Sequence, residues 1–369
     1  MRMDHQLDQR RGALFGLAAA LLFGASAPLA KRLLPEVTPL MLAALLYGGA
    51  GVALVGWGLA RRWWRAGGTA VASGAPPLEA SLRWSDVPTL VAIVVLGGVV
   101  GPICMLVGLA RLSGVSGALL LNLEAPLTAL LAVVIFREHL GWRGVVAIVL
   151  VIGAASLLAA GASLGAGAPR APASAGGALA VAAACLAWAI DNNLTQRLSV
   201  RDPIAVVRIK ALGAAACNLV LAVAFGSALP APGVIAAALL VGAASYGVSV
   251  VLDFHALRIL GAAREAAFFA TAPFAGALVA IPLFGQRPGR AELLAGAAMV
   301  AGVVALLRDR HAHRHTHEAI AHDHLHVHDE HHRHAHQGIA GAPHAHWHVH
   351  DPVTHEHPHS SDIHHRHRH

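Results

Sequence analysis

The chain has 369 residues, of which 56% are hydrophobic and only 13% are charged, and its mean hydropathy is +0.60. This composition excludes an ordinary soluble globular protein and indicates a bundle of membrane-spanning helices. The formal net charge is +7, but no stretch alternates basic with aromatic side chains, so the sequence predicts no nucleic-acid partner.

Ten apolar segments follow one another, each about long enough to cross a bilayer. The first five lie near residues 12–30, 38–60, 88–110, 114–136 and 142–160. The other five lie near residues 177–197, 203–226, 232–256, 262–284 and 289–307.

The second set of five segments repeats the first. Three positions recur 147 residues later: Arg111, Gly114 and Pro126 correspond to Arg258, Gly261 and Pro273. Because each repeat has an odd number of spans, the second copy must be inverted across the bilayer. The predicted fold class is therefore an all-α membrane protein of ten transmembrane helices, arranged as two inverted five-helix repeats, an architecture typical of secondary transporters.

These patterns divide the chain into five parts. They are a cytoplasmic N-terminus (1–11), the first repeat (12–160), a flexible Ala-, Gly-, Ser- and Pro-rich linker (161–176), the second repeat (177–307) and a tail (308–369). With the N-terminus inside, the inner segments carry sixteen basic residues and the outer segments six. This asymmetry predicts that both termini face the cytoplasm.

An acidic residue lies near the middle of the fourth span. A carboxylate at that depth is costly unless it meets a cavity or a partner, so Glu124 is a candidate for binding a proton, a cation or the substrate. Pro126 follows two residues later and deprives the carbonyl of Asn122 of its usual helical partner, which adds Asn122 to the candidates. The alternative is a glutamate that only joins helices.

A second polar group lies in the sixth span, where Asp191 and Asn192 are adjacent. Their positions put Asp191 and Asn192 on different faces of a helix. Asp191 is either a substrate or cation ligand or the structural partner of Arg208 or Lys210, which begin the seventh span. The two basic residues are in turn candidates for anion recognition or gating, besides ion pairing.

The tail holds 23 of the 26 histidines, many of them at alternate positions. It has too little apolar surface to fold alone, so we expect it to be disordered. Imidazole binds zinc, nickel and cobalt, and the candidate ligands are His311, His313, His315, His317, His322, His324, His326, His328, His344, His346, His348 and His350. The alternative is a low-complexity tail that affects only solubility.

The repeats resemble those of the drug/metabolite transporter superfamily, specifically its EamA-type members. In each half the end of the third span leads into a proline-containing fourth span, from Arg111-Leu112-Ser113-Gly114 to Pro126 and from Arg258-Ile259-Leu260-Gly261 to Pro273. The sequence Phe136-Arg137-Glu138 is similar to the short acidic end of the family's fourth helix, and its counterpart Phe284-Gly285-Gln286 lacks the acid.

The resemblance covers about residues 10–308 and implies a ten-helix carrier of the bacterial inner membrane, often an exporter of metabolites or toxic compounds. It also implies a cavity lined by the first, third, fourth, sixth, eighth and ninth spans, which would include Glu124 and Asp191. The expected partners are a small-molecule or ion substrate and the lipid bilayer, with no required cofactor. Both a monomer and a homodimer remain open.

Three other functions are the alternatives. The protein could transport zinc, nickel or cobalt and use the tail for capture, or it could be a metal-responsive receptor without flux. A membrane enzyme is the third, but the sequence contains no recognisable nucleophile–base pair or phosphate-binding loop. We therefore predict a transporter and not an enzyme.

Overall fold

The computed structural model describes residues 2–67, 82–136, 141–164, 171–198 and 201–308, together with four short segments of the tail. The acidic segment Arg137-Glu138 and the candidate ligand His328 lie outside the described residues. Within these ranges, residues 2–308 form helices joined by short connections.

Ten helical segments of the described chain are long and apolar enough to cross a membrane, which confirms the predicted all-α membrane fold of ten spans. They are Arg10–Leu33, Pro39–Ala60, Trp84–Leu109, Gly114–Ile135, Trp142–Ala160, Ala175–Leu198, Pro203–Ala224, Pro232–Leu260, Arg264–Phe284 and Arg290–Leu307. Below they are called spans one to ten. Spans three and eight are slightly longer than predicted, since span three begins with a 3₁₀ turn at Trp84–Asp86 and the helix of span eight continues to Leu260.

Fourteen α-helices make up these spans in the described residues. In chain order they are α1 (Arg2–Leu33), α2 (Pro39–Gly67), α3 (Val87–Ile93), α4 (Gly101–Leu109), α5 (Gly114–Leu120), α6 (Glu124–Phe136), α7 (Trp142–Leu164), α8 (Ala171–Thr195), α9 (Pro203–Ala224), α10 (Pro232–Gly242), α11 (Ser249–Leu260), α12 (Ala262–Phe269), α13 (Ala272–Phe284) and α14 (Arg290–Leu307).

Interruptions recur at matching places in the two repeats. Span three contains a π-helical segment at Val94–Val100, and span eight contains one at Ala243–Val248. Span four is divided by a 3₁₀ turn at Leu121–Leu123, and span nine is divided between α12 and α13. Such interruptions release backbone groups from the regular helical ladder, and in α-helices they frequently mark functional sites.

The linker between the repeats is shorter than the predicted 161–176. Helix α7 continues to Leu164 and α8 begins at Ala171, so both ends of the predicted linker are helical. The physical reason is composition, since alanine has the highest helix propensity and outweighs the glycine and serine among which it lies. The helix α1 likewise begins at Arg2, within the predicted N-terminal segment.

The two repeats pack against each other rather than forming separate bundles. Helix α2 packs on α9 and α10, α7 packs on α14, α4 packs on α8, and α1 packs on α11 and α13. Glycines allow the closest approaches: a Cβ atom on Gly24 would lie 2.0 Å from the carbonyl oxygen of Ala272, and one on Gly242 would lie 1.9 Å from that of Leu46. Small residues at such crossings are typical of helix packing in lipid.

The tail contains four strands in its described parts, β1 (His311–His317), β2 (Ile320–His326), β3 (His344–His350) and β4 (Val353–His359). Strand β1 pairs with β4 and β2 pairs with β3, both antiparallel. This differs from our expectation of a disordered tail. Alternation at every second residue is the period of a strand, and backbone hydrogen bonding between strands requires no apolar sequence.

Candidate functional site

Glu124 is the first residue of α6, directly after the 3₁₀ turn of span four. Its carboxylate oxygen Oε1 accepts a hydrogen bond of 2.8 Å from Nδ2 of Asn192, on α8. The same amide nitrogen lies 3.5 Å from Oγ1 of Thr128, one turn further along α6. The structure therefore brings together two of the predicted site residues, and Glu124 meets a neutral partner there.

Asp191 belongs to the same helix but contacts another neighbour. Its side chain is buried and forms an ion pair with Nζ of Lys210, on α9. Oγ1 of Thr195 lies 3.5 Å from the second carboxylate oxygen. Of the two basic partners that the sequence offered, Asp191 thus takes Lys210. The four residues Glu124, Asn192, Asp191 and Lys210 are called the central polar cluster below.

The π-helical segment of span three supplies the surface against which Asp191 packs. A Cβ atom on Gly97 would lie 2.2 Å from the carboxylate oxygen Oδ2 of Asp191, so any larger residue there would have to displace the Asp191 side chain. The carbonyl oxygen of Gly97 accepts hydrogen bonds from the Tyr47 hydroxyl (2.9 Å) and from Nε1 of Trp188 (3.0 Å). Asn218 donates to the next carbonyl, of Gly98, at 2.8 Å. Side chains of α2, α8 and α9 thus donate hydrogen bonds to the carbonyl groups of Gly97 and Gly98.

Aromatic rings lie beside this part of the cluster. Tyr47 stacks on Tyr246 with ring centroids 5.7 Å apart, and Phe23 meets Tyr246 edge-on at 5.7 Å. Phe269 lies 4.9 Å from Phe23. These rings come from spans one, two, eight and nine. The sequence analysis did not predict that Tyr47, Tyr246 and Gly97 lie beside the cluster. The pair Gly97-Gly98 in a long apolar span was nevertheless a signal for close helix packing.

Two predicted site residues lie apart from the central polar cluster. Asn122 is buried and donates to the carbonyl of Leu119 at 3.0 Å and to Sδ of Met299 at 3.9 Å, so its amide binds within its own turn and to α14. The guanidinium of Arg208 lies beside α2: a Cβ atom added to Gly58 of that helix would be 3.2 Å from a terminal nitrogen of Arg208. Among the described residues, neither side chain is hydrogen-bonded to Glu124 or Asp191.

The end of the fold where span three begins carries an ion pair between the repeats. Arg201, before α9, contacts both carboxylate oxygens of Asp86, with Nε to Oδ2 at 2.9 Å and a terminal nitrogen to Oδ1 at 3.2 Å. Both side chains are only 11% exposed. Such a two-point contact fixes the relative geometry of its partners more strongly than a single hydrogen bond. It is called the inner pair below, because this end of the spans is the one predicted to face the cytoplasm.

A hydrogen-bonded cluster around the carboxylate of Glu292 joins the repeats at the opposite ends of the spans. Oε1 of Glu292, in the first turn of α14, accepts hydrogen bonds of 2.7 Å from the hydroxyls of Ser113 and Ser116. Gln286 accepts from the backbone N–H of Val115 at 3.2 Å. Gln286, which stands where the first repeat has Glu138, therefore still accepts a hydrogen bond. This group is called the outer cluster.

The central polar cluster holds two carboxyl groups and one ammonium group. Because Lys210 binds Asp191, Glu124 is left with hydrogen-bonding partners that carry no charge. Within the described residues, no group of three or more His, Cys, Asp or Glu side chains is placed to hold a metal ion. The arrangement is therefore suited to binding a proton or a cationic group at Glu124.

The fold and this intramembrane cluster define a multi-pass membrane transporter. Residues 10–160 and 175–308 each match the EamA-like transporter family, and the chain belongs to that family. A relative from Methanothermobacter thermautotrophicus, described as an uncharacterized transporter, is 29% identical over 296 residues, which are 79% of this chain and 84% of the relative. A solved crystal structure with 22% identity and a TM-score of 0.55 covers 80% of this chain and 94% of its own, and it shares the fold.

Proposed function

We propose that this protein is a secondary transporter of the bacterial inner membrane that exports a small metabolite or toxic solute by alternating access. The single observation that carries the proposal is Glu124, a carboxylate within an interrupted span that has only neutral hydrogen-bonding partners. A carboxylate inside the membrane is costly unless it meets a cavity or a partner, so a site of this kind favours a proton or a cationic group of the substrate as its partner.

The contacts between the repeats support an alternating mechanism. The inner pair and the outer cluster lie at opposite ends of the spans, with the central polar cluster between them. Opening one end requires breaking one ion pair, and opening the other requires breaking the hydrogen bonds of Glu292. Inverted repeats, as the odd number of spans per repeat implies, give such a carrier two related conformations.

The proposal is tested by flux. The purified protein in proteoliposomes should move a metabolite or a toxic organic solute from a substrate panel, in a manner that depends on a proton gradient. A receptor or an enzyme would give no flux above that of protein-free vesicles. The same panel, extended to zinc, nickel and cobalt, distinguishes a metabolite carrier from a metal carrier.

The proposed orientation places both termini in the cytoplasm, because the inner segments carry sixteen basic residues and the outer segments six. We expect reporter fusions at Ala166 and after Arg310 to give opposite signals, since five spans separate the two sites. Topology reporters that function on only one side of the membrane provide the measurement. Identical signals from both fusions would contradict the arrangement.

The tail supports a second proposal, that it binds zinc, nickel or cobalt on the cytoplasmic side. The favouring observation is strand register: in the two pairs of strands, histidine is opposite histidine at six positions, among them His313 with His357 and His324 with His346. Directly opposed residues in antiparallel strands have Cβ atoms about 4.5–5.5 Å apart. That spacing would allow two imidazoles to share one metal ion.

Truncation after Arg310 tests the tail separately from the membrane domain. We expect the shortened protein to insert and fold normally and to bind much less metal, as measured by equilibrium dialysis of the purified protein. Acidification should weaken metal binding by the full-length chain, because only neutral histidine coordinates a metal. Unchanged metal stoichiometry after truncation would eliminate the tail as the binding site.

A further inference from the structure

Tyr47 contacts the interrupted segments of both repeats. Its hydroxyl donates a hydrogen bond of 2.9 Å to the carbonyl oxygen of Gly97, in the π-helical segment of span three. Its ring stacks on that of Tyr246, in the π-helical segment of span eight, with centroids 5.7 Å apart and planes 13° apart. The two segments occupy matching places in the repeats, so one side chain of span two connects the same feature of each half.

Span two is packed closely against the span-eight segment on both sides of Tyr47. A Cβ atom on Gly242 would clash with the carbonyl oxygen of Leu46, and one on Gly247 would lie 2.8 Å from the Cβ atom of Ala53. The two backbones therefore meet with at most a methyl group between them, which is typical of tightly packed helices in lipid. Because of this close packing, Tyr47 follows a displacement of the span-eight segment.

The other contact of Tyr47 leads to the central polar cluster. The carbonyl of Gly97 also accepts a hydrogen bond of 3.0 Å from Nε1 of Trp188, which lies one turn before Asp191 on α8. The α-carbon of Gly97 packs so closely on Asp191 that an added Cβ atom would collide with its carboxylate. A movement of the span-three segment therefore changes the surroundings of Asp191 and, with them, its ion pair to Lys210.

Interrupted segments are the places where a long span bends. A π-helical turn departs from the regular backbone ladder, and sharp kinks in helices occur at such turns. Conformational changes concentrate at a few positions of this kind, while the packed helices between them move as units. In an alternating-access carrier the two ends do not open together, so the bends of the two repeats have to change in step.

We propose that Tyr47 is a positioning residue that couples the central polar cluster to the bend of span eight, so that the two interrupted spans change shape together. The inference rests on the proposed transport function, because only a carrier requires its two halves to move in step. The hydroxyl joins Tyr47 to Gly97, and the stacked ring joins it to Tyr246. Loss of either contact separates the bend of span eight from the state of the central polar cluster.

A double-variant cycle measured by hydrogen–deuterium exchange tests the coupling without requiring transport. Gly97→Ala disturbs the span-three segment, because its methyl group has to displace the Asp191 side chain. The readout is amide exchange of residues 243–249 in span eight, for the full-length protein in nanodiscs. We expect Gly97→Ala to accelerate this exchange about three- to tenfold, the effect of one neutral hydrogen bond. In a Tyr47→Phe background the same substitution should change the exchange by less than about twofold, because the link to Gly97 is already absent.

Tyr246→Phe is the matched control for Tyr47→Phe. It removes a hydroxyl from the other ring of the stacked pair, and that hydroxyl shares a hydrogen bond with Ser26 of span one. The response of span eight to Gly97→Ala should therefore persist in Tyr246→Phe. Equal responses in the wild-type and Tyr47→Phe backgrounds would overturn the proposal, and so would the absence of any response in the wild-type background.

A second perturbation covers the case in which Gly97→Ala does not fold. The double variant Asp191→Asn with Lys210→Met changes the central polar cluster itself and leaves Gly97 in place. Its effect on the exchange of residues 243–249 should likewise require the Tyr47 hydroxyl. An effect of the same size in Tyr47→Phe would overturn the coupling.

Flux separates this inference from the proposed function. We expect Tyr47→Phe to lower maximal flux in proteoliposomes about three- to tenfold and to leave the half-saturating substrate concentration unchanged, because Glu124 and Asn192 are untouched. A wild-type protein without flux would contradict the transport function, and the exchange cycle would still decide whether the two spans are coupled. A wild-type protein that transports, beside a Tyr47→Phe variant with the same maximal flux, would overturn the role of Tyr47.

Discussion

Glu124→Gln is expected to reduce transport to near background while the protein still inserts and folds. Glutamine keeps the shape and can still accept a hydrogen bond from Asn192, which donates to Glu124 at 2.8 Å. It lacks the charge that binds a proton or a cationic group. A hydrogen bond to a charged group contributes about 1.5–3 kcal/mol, so its loss corresponds to roughly a 10- to 100-fold decrease in flux at low substrate concentration.

The measurement is initial flux in proteoliposomes at matched protein content. Asn192→Ala serves as the matched comparison, because it removes the neutral partner of Glu124 and leaves the carboxylate in place. We expect Asn192→Ala to reduce flux less than Glu124→Gln does. If Glu124→Gln transports at the wild-type rate, the residue only joins α6 to α8, and the coupling role is wrong.

The fold could be predicted from the sequence because its determinants are periodic and local. Ten long apolar segments and the 147-residue offset between Gly114 and Gly261 were enough to predict the number of spans. The linker was overestimated, since glycine and serine were read as flexible although alanine keeps 171–176 helical. The tail strands were missed because the prediction rested on apolar content and ignored the two-residue period of the histidines.

The candidate site could be predicted only in part. A charged residue inside an apolar span is visible in the sequence, so Glu124 and Asp191 were found. Which partner each takes depends on helix rotation and on distant packing. Lys210 and Arg208 are two residues apart, and only the crossing of α8 and α9 determines that Lys210 meets Asp191. The contacts of Tyr47 and Trp188 with the Gly97 carbonyl depend on a π-helical turn that no spacing of residue types reveals.

Breaking the ion pair between Asp191 and Lys210 is expected to destabilise the protein more than it alters the transport chemistry. Asp191 is buried, and the Lys210 side chain is 20% exposed. Asp191→Asn leaves the ammonium group without its partner. Removing one member of a fully buried pair costs about 3–5 kcal/mol, and the partial exposure of Lys210 places our expectation at about 2–3 kcal/mol.

The double variant Asp191→Asn with Lys210→Met separates structure from function. It removes both charges, so thermal unfolding in detergent should show that it recovers most of the stability that Asp191→Asn loses. A double variant no more stable than the single one would contradict the pairing.

Flux then decides the role of Asp191. We expect Asp191→Asn to transport better than Glu124→Gln, because Asp191 has its own counter-ion and Glu124 has none among its hydrogen-bonding partners. A stable double variant that transports would make the pair structural, whereas a stable one without flux would give the pair a role in transport.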